Sequence, residues 1–265
     1  MNKVIQTLIS YKDEYLQWEK ANLFRLKNEF SFFNLTCLFG DNSQLGAVAL
    51  YSGTQTEVLN YFYRAAYIGK IYAELYEKPI RCCFDRFDFA FLSNHKDVIG
   101  YYAKTKNYYL EEDVKSVGYQ YIEGFQAILT KDDERLKHVL PIIYKAVTRV
   151  KSYKGVAEVY DGIYQRDKNL VIAGLKNILR YRKVRDTYSG LEELFCLMAT
   201  TMYKLALYRD IPVDFKHPMI PQVLLSFEPL EHYEGYDFFA YYDQHGHLPP
   251  PPSKSPWWKR LWTRP

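Results

Sequence analysis

The chain has 265 residues, of which 48% are hydrophobic, 25% charged and 17% aromatic. This composition excludes an intrinsically disordered chain, because it supplies apolar mass for a core and enough charge to solvate the surface. The formal net charge is +4, and the last 14 residues alone contain four basic residues and no acid. Residues 1–251 are therefore balanced, and the overall charge does not argue for nucleic-acid binding.

Membrane and secretory segments are not expected. The longest runs without charge, such as 30–40 and 194–203, are about half of the ~20 residues that a transmembrane helix needs. The apolar run 4–9 is too short for a secretory signal, and charged residues follow it directly. We therefore expect a cytoplasmic protein without stable membrane insertion.

Apolar residues recur at helical spacing along most of the chain, and no alternation typical of strands competes with them. The spacing predicts helices over 3–32, 43–51, 55–77, 84–103, 110–130, 132–151, 154–166, 168–184 and 190–208. Capping boxes mark two of the starts, with Thr54 three residues before Glu57 and Ser189 three residues before Glu192. A third start has an acidic triplet beginning at Asp132, which suits the positive end of a helix dipole.

A faint internal repeat appears when the turns at Thr54, Asp132 and Asp167 are aligned, because apolar residues then coincide on both sides of each turn. One interpretation is a series of helical hairpins that stack to bury their remaining apolar faces. The other is that any two amphipathic helices joined by a short turn align in this way. Both predict an all-α fold of stacked antiparallel helical hairpins, an irregular solenoid-like bundle, with a single helical domain over 1–228.

Residues 229–265 break this pattern and predict an irregular aromatic and proline-rich tail. Aromatic residues crowd 229–242, and an acidic residue falls every three positions from Glu228 to Asp237. Four prolines at 249–252 predict a stiff polyproline II spacer. The basic, tryptophan-rich stretch 257–262 follows, and it could pack on the protein's own surface, bind a partner or touch a membrane surface.

Motifs for catalysis or cofactor binding are missing. The sequence contains no P-loop, no GxGxxG fingerprint, no HExxH zinc motif and no GxSxG elbow. Four cysteines match neither a disulfide framework nor a metal knuckle, so we expect reduced and mostly buried thiols: Cys37, Cys82, Cys83 and Cys196. We therefore expect no enzymatic activity, no cofactor and no metal.

Two small constellations leave an alternative open. Asp85 and Asp88 would share a helix face among aromatic residues, either as exposed structural charges paired with arginines or as an acid–base pair. His245 and His247 belong to a polar loop or, less simply, to a metal site. A catalytic Cys–His pair formed only in the folded chain is a further alternative.

Two stretches are candidates for binding. Between 166 and 186 seven basic residues face two acids, which indicates a solvated helix face or, alternatively, a site for phosphate or an acidic partner. The segment 228–242 is more suggestive, because tyrosines offer large contact area with few rotors and carboxylates steer a basic partner. The same segment could instead be the closing layer of the fold, with its carboxylates in water.

The order of features over 118–225 resembles a known family. A polar turn at 131–133 and a helix that opens at 189–191 and runs to 207 are followed by the Ile-Pro-Val turn at 211–213 and by the Pro-Met-Ile-Pro-Gln-Val-Leu-Leu segment at 218–225. This order is similar to that of the all-helical bacterial immunity proteins of family 49, which are found beside polymorphic toxins. The stretch 58–76 is similar in kind to that family's N-terminal helices.

The resemblance implies a cytoplasmic protein that binds one cognate toxin domain and protects the producing cell, with no catalytic step of its own. For the toxin-binding face we predict an acidic and aromatic set that would cover a basic toxin surface: Glu228, Glu231, Tyr233, Glu234, Tyr236 and Asp237. The alternative function is a helical-repeat scaffold that binds a cellular protein or peptide.

Overall fold

The computed structural model describes residues 3–28, 31–76, 84–105, 115–185 and 191–250. Over these residues the chain forms helices and no β-strand, so the predicted all-α fold is confirmed. The α-helices are α1 (Lys3–Ser10), α2 (Lys12–Asn28), α3 (Phe32–Ser52), α4 (Gln55–Tyr76), α5 (Phe84–Leu92), α6 (Lys96–Lys104), α7 (Val117–Thr130), α8 (Asp133–Val147), α9 (Val156–Gln165), α10 (Lys168–Arg180), α11 (Leu191–Leu194), α12 (Leu197–Tyr208) and α13 (Asp237–His245). Short 3-10 helices cover Lys151–Tyr153, Arg182–Arg185 and Gln222–Leu225.

Three helical hairpins turn where the sequence repeat predicts, and they pair α3 with α4, α7 with α8, and α9 with α10. The second and third hairpins share one turn geometry, since Lys131 and Arg166 both adopt the left-handed conformation with φ of 57°. The amides of Asp132 and Asp167 then donate to the carbonyl oxygen five residues earlier, at 2.8 Å in each case. Each aspartate also caps the helix that follows by accepting a backbone N–H.

The turn between α3 and α4 is built differently, with the capping box that the sequence predicts. The amide of Thr54 donates to Glu57 Oε2 at 2.7 Å, and the amide of Glu57 donates to Thr54 Oγ1 at 3.2 Å. These reciprocal bonds satisfy two amides that the first turn of a helix leaves without partners. The second predicted capping box lies outside the described residues at Ser189.

The third hairpin brings two backbones into direct contact. Gly155 has φ of +100°, and a Cβ built on it would lie 2.3 Å from the carbonyl oxygen of Gly174. A Cβ on Gly174 would in turn lie 2.6 Å from the carbonyl oxygen of Gly155. Only residues without side chains allow α10 to approach the start of α9 this closely.

Several predicted helices have different bounds in the structure. The predicted helix 3–32 is two helices, because the chain breaks between Ser10 and Lys12. The predicted helix 43–51 begins much earlier, at Phe32, where Ser31 caps the helix by accepting the amide of Asn34 at 3.2 Å. Helix formers are scarce in this stretch, but residues 41–49 are all buried, and that packing outweighs local propensity.

Two further predicted helices are each interrupted. The prediction 84–103 divides into α5 and α6 because Asn94 takes the left-handed conformation, with φ of 64°. The prediction 190–208 divides into α11 and α12, and the amide of Cys196 at the break donates to the carbonyl oxygen of Met219 at 2.8 Å. At the first break a local left-handed residue ends the helix, whereas at the second break a tertiary hydrogen bond does so.

The high tyrosine content is explained by the core. Tyr102 and Tyr160 are buried, and each hydroxyl donates to a backbone carbonyl of another helix, that of Ala66 at 2.9 Å and that of Tyr121 at 2.6 Å. A buried hydroxyl without such a partner costs free energy, so these bonds stabilise the buried tyrosines. Tyrosine therefore supplies both apolar contact area and cross-links between helices.

After the helical hairpins, residues 226–250 cross the helices and form α13, a helix that the sequence analysis does not predict. Phe238, Phe239 and Tyr242 on α13 are buried in the same hydrophobic cluster as the preceding helices. The ring of Phe239 stacks on Tyr67 of α4 with a centroid distance of 4.2 Å. The N-terminal part of the segment 229–265 thus packs on the helical core. Within the described ranges, none of the helices combines the length and the apolar character needed to cross a bilayer.

Candidate functional site

The four predicted carboxylates form an exposed acidic row, consisting of Glu228, Glu231, Glu234 and Asp237. The side chain of Asp237 keeps 97% of its surface in contact with solvent, and that of Glu234 keeps 69%. Among the described residues, the ion pairs of these carboxylates are weak, at 3.8 Å from Asp237 to Lys27 and at 3.5 Å from Glu234 to Arg64. The acidic row is therefore open to a partner.

The two predicted tyrosines occupy a different position, since both are half-buried beneath the acidic row. Tyr233 donates its hydroxyl hydrogen to the carbonyl oxygen of Ser93 at 2.7 Å, and its ring lies against Tyr63 and His95 at centroid distances of 5.1 and 4.7 Å. Burial raises the pKa of Tyr233 and lowers the pKa of His95. Tyr233 thus supports the segment, whereas the sequence prediction places it on the contact surface.

Tyr236 is the centre of a polar cluster between the segment and helices α2, α3 and α4. Its hydroxyl donates to Glu19 Oε1, and Nδ2 of Asn42 donates to the same hydroxyl at 2.8 Å. The guanidinium of Arg64 lies 5.1 Å from the ring centroid of Tyr236 and donates through Nε to the carbonyl oxygen of Glu234 at 2.8 Å. Burial, with the nearby Glu19 carboxylate, raises the pKa of Tyr236.

A second buried carboxyl lies beside this cluster. Asp41 accepts a hydrogen bond from Asn22 Nδ2 at 2.7 Å, and both residues are buried. Burial raises the pKa of Asp41 to about 6, with a smaller rise from Glu19, while the Asn22 bond acts in the opposite direction. These groups were not predicted from the sequence. The one available signal was that Glu19, Asn22 and Leu26 share the core-facing side of α2.

The segment is also anchored at both ends. At its start, Nδ2 of Asn94 donates to the carbonyl oxygen of Glu228 at 2.9 Å, and Lys204 Nζ donates to Asn94 Oδ1 at 2.5 Å. Directly after its last residue, Asp243 pairs with Lys70 at 3.2 Å. These contacts come from α4, α12 and the break after α5, so the acidic row is held in place from several parts of the fold.

Lys204 is itself unusual, because its side chain has no exposed surface. Its Nζ lies between the rings of Phe91 and Phe227, at 5.4 Å from each centroid. Burial lowers the pKa of Lys204 to about 7. No sequence pattern indicated this residue, since a lone lysine on a helix is ordinarily a surface residue.

An apolar groove lies next to the acidic row, between α2, α13 and residues 248–250. Its volume is about 420 Å³. The groove is lined by Leu26, Phe238, Tyr241, Leu248, Pro249 and Pro250, with Lys27 and Asp237 at the rim. Asp237 therefore belongs both to the acidic row and to the edge of the groove.

The described histidines and cysteines do not belong to a cluster that could hold a metal ion. In the ranges that the structure covers, no three His, Cys, Asp or Glu side chains are grouped so that they could hold a metal ion. His245 stacks on Tyr241 at a centroid distance of 4.1 Å, and its Nδ1 is 2.8 Å from the carbonyl oxygen of that residue. Cys196 is buried and Cys37 is partly buried, whereas Cys82 and Cys83 lie outside the described residues.

The interpretation of Asp85 and Asp88 as exposed helix charges is wrong for Asp88. This carboxylate is buried and accepts the hydroxyl hydrogen of Tyr121 at 2.7 Å. The physical reason is that α5 is buried along residues 87–92, so Asp88 faces the core and a tyrosine satisfies it. The side chain of Asp85 lies outside the described residues.

Comparisons with known proteins add no family to this description: no protein-family model, curated protein or solved structure matches the chain. The resemblance to the immunity proteins of family 49 stays a prediction.

Proposed function

We propose that this protein is an immunity protein that binds and neutralises a cognate toxin domain in the cytoplasm of the producing cell. The acidic row and the apolar groove together form its contact surface. The observation that carries the proposal is that four exposed carboxylates lie on a segment held by polar contacts at its start, middle and end. A surface fixed before binding loses less conformational entropy when the partner arrives.

The chemistry of this surface defines the partner. Clustered carboxylates accelerate the approach of a basic protein, and a neighbouring groove can take an apolar anchor residue out of water. The matching toxin surface therefore carries lysines or arginines around an exposed aromatic or aliphatic side chain. Such a surface is typical of toxin domains that act on nucleic acids, because their substrate is an anion.

Helix α2 extends the surface. A stable protein–protein interface buries about 800 Å² on each partner, which is more than one short segment provides. One large apolar side chain on α2, that of Phe24, is exposed by 69% and lies one helical turn before Lys27 at the rim of the groove. Aromatic side chains are enriched in protein–protein interfaces.

Charge reversal tests the proposal. The double variant Glu228→Lys and Glu231→Lys should slow association with the cognate toxin by about tenfold or more and weaken neutralisation. The matched control, Glu134→Lys with Asp214→Lys, makes the same change of net charge at exposed positions on other parts of the surface. Binding kinetics and growth rescue on co-expression with the toxin encoded beside this gene provide the two measurements. Equal binding by the two double variants would remove the acidic row from the interface.

A helical-repeat scaffold for a cellular protein is the second candidate. It is favoured by the sequential contacts of α7 with α8, α8 with α9 and α9 with α10, which stack consecutive hairpins. The two candidates predict different genetic settings, a toxin gene directly upstream for the first and a signalling or metabolic operon for the second. Co-purification with the product of the neighbouring gene distinguishes them.

A further inference from the structure

The apolar groove lies where the described chain ends. Pro249 and Pro250 form part of its wall, and the sequence continues from there with residues 251–265, here called the tail. The tail contains three of the four tryptophans of the protein, four basic residues and no acidic residue. We propose that the apolar groove is the docking site of this tail, with an indole ring in the groove and the basic side chains against the acidic row. This inference does not depend on the identity of any partner protein.

The lining of the groove suits an indole. Phe238 and Tyr241 offer aromatic rings and Leu26 and Leu248 offer aliphatic contacts, within a volume of about 420 Å³. Ligand pockets in proteins typically have volumes of about 300–1,000 Å³ and mostly apolar and aromatic walls, so the groove is large enough for an indole ring. Aromatic pairs add to the contact energy beyond the buried area, and tryptophan has the largest area to bury.

The charges of groove and tail are complementary. Asp237 stands at the rim with 97% of its side-chain surface exposed, and its contact with Lys27 is 3.8 Å long. A lysine or arginine of the tail can therefore replace Lys27 at small cost, since exposed ion pairs contribute little. The tail concentrates the excess charge of the protein, because residues 1–251 contain equal numbers of basic and acidic residues.

The tail is long enough to return to the apolar groove. A polyproline segment extends by about 3.1 Å per residue, so Pro250 to Ser253 spans about 9 Å. The sequence Ser253-Lys254-Ser255-Pro256 is typical of a turn, and from there Trp257 and Trp258 can return toward the groove. Because the connection is so short, the effective concentration of the tail at the groove is in the mM range. Even a weak contact between tail and groove is therefore populated. A partner that binds the acidic row and the apolar groove would have to displace the tail from both.

Tryptophan fluorescence of the full-length chain tests the docking. In a Trp18→Phe background the three tail tryptophans are the only tryptophans of the sequence, so all tryptophan emission comes from the tail. We expect blue-shifted emission and acrylamide quenching severalfold weaker than that of free tryptophan. Tyr241→Ala and, separately, Asp237→Lys should shift the emission to the red and raise quenching, whereas Tyr164→Ala and Asp214→Lys, at exposed positions on α9 and in the loop after α12, should not.

Three outcomes would overturn the proposal. Emission and quenching equal to those of an unfolded peptide would show that the tail is not docked. If the tryptophans are protected but neither groove variant changes their emission or quenching, the tail is docked elsewhere. Circular dichroism of each variant establishes that the variant is folded. Protection that depends on protein concentration would assign the occupant to another copy of the chain. Because no partner is present, failure here leaves the charge-reversal test of the acidic row unaffected.

Discussion

The buried amine of Lys204 should give this protein a distinctive dependence of stability on pH. The side chain has no exposed surface, its hydrogen-bond acceptor is the neutral amide of Asn94, and burial lowers its pKa from 10.5 to about 7. In the unfolded chain the amine has its ordinary pKa. Between pH 7 and 10.5 the unfolded chain therefore binds a proton that the folded protein does not, and stability rises with pH across this window.

The size of the effect follows from the two pKa values. The difference between 10.5 and about 7 corresponds to about 5 kcal/mol, at about 1.4 kcal/mol for each pKa unit. Below pH 7 the folded protein carries this full penalty, because the amine must be charged in both states. Lys204→Met removes the charge at similar volume but leaves Asn94 Oδ1 without its donor, which costs about 1–3 kcal/mol. We therefore expect Lys204→Met to be more stable than the original chain by about 2–4 kcal/mol at pH 6.

Urea unfolding at several pH values from 6 to 9.5 measures this prediction. The advantage of Lys204→Met should shrink as pH rises, while the exposed-lysine control Lys137→Met should follow the original chain throughout. Titrations of other groups occur in all three proteins and cancel in the differences. A constant difference between Lys204→Met and the original chain over this range would refute the burial argument, as would a less stable variant at pH 6.

Two further substitutions probe the buried polar cluster and the third hairpin. The folded pKa of Asp41, about 6, exceeds the ordinary 3.8, so its burial lowers stability as pH rises from 4 to 6. Asp41→Asn should remove that loss and raise the free energy of unfolding at pH 7 by about 1–3 kcal/mol in urea titrations, and an unchanged pH profile would contradict this. Gly174→Ala should cost about 1–3 kcal/mol or more, because the new Cβ would lie 2.6 Å from the carbonyl oxygen of Gly155. The control Gly100→Ala on α6 meets no atom within 4 Å and should be neutral or stabilising, so equal melting temperatures for the two alanine variants would refute the close-contact argument.

Local signals in the sequence were sufficient to predict the all-α fold and its helical hairpins. The helical period, the capping box at Thr54 and the aspartates at 132 and 167 located the hairpins, because each of these depends on residues a few positions apart. The N-terminal half of α3 was missed because its stability comes from burial against other helices, which no local pattern shows. Helix α13 was missed for the same reason, since its aromatic residues fit the core only after the segment crosses α4.

Of the candidate site, only the exposed carboxylates could be predicted from the sequence. The three-residue spacing identified the carboxylates of the acidic row, whereas the anchors beneath them join residues far apart in sequence. Tyr236 bonds to Glu19 across 217 positions, and Asn94 bonds to Glu228 across 134. Such pairings are set by the topology of the folded chain, so the roles of Tyr233 and Tyr236 as supports could not be derived from spacing.

The anchors also explain why costly polar groups lie beneath the segment. Apolar contacts alone, such as Phe239 on Tyr67, tolerate small shifts along the helix surface, because one apolar side chain can replace another. A shift of one residue would break the bonds from Tyr236 to Glu19, from Arg64 to the carbonyl oxygen of Glu234 and from Asn94 to the carbonyl oxygen of Glu228. Losing hydrogen bonds at buried or half-buried polar groups is expensive. We infer that these polar contacts fix the register of residues 228–237. The buried Asp41 and Lys204 lower the free energy of unfolding. Asp41 lies beside the polar arrangement that holds the acidic row in one position on the fold, and Lys204 belongs to it.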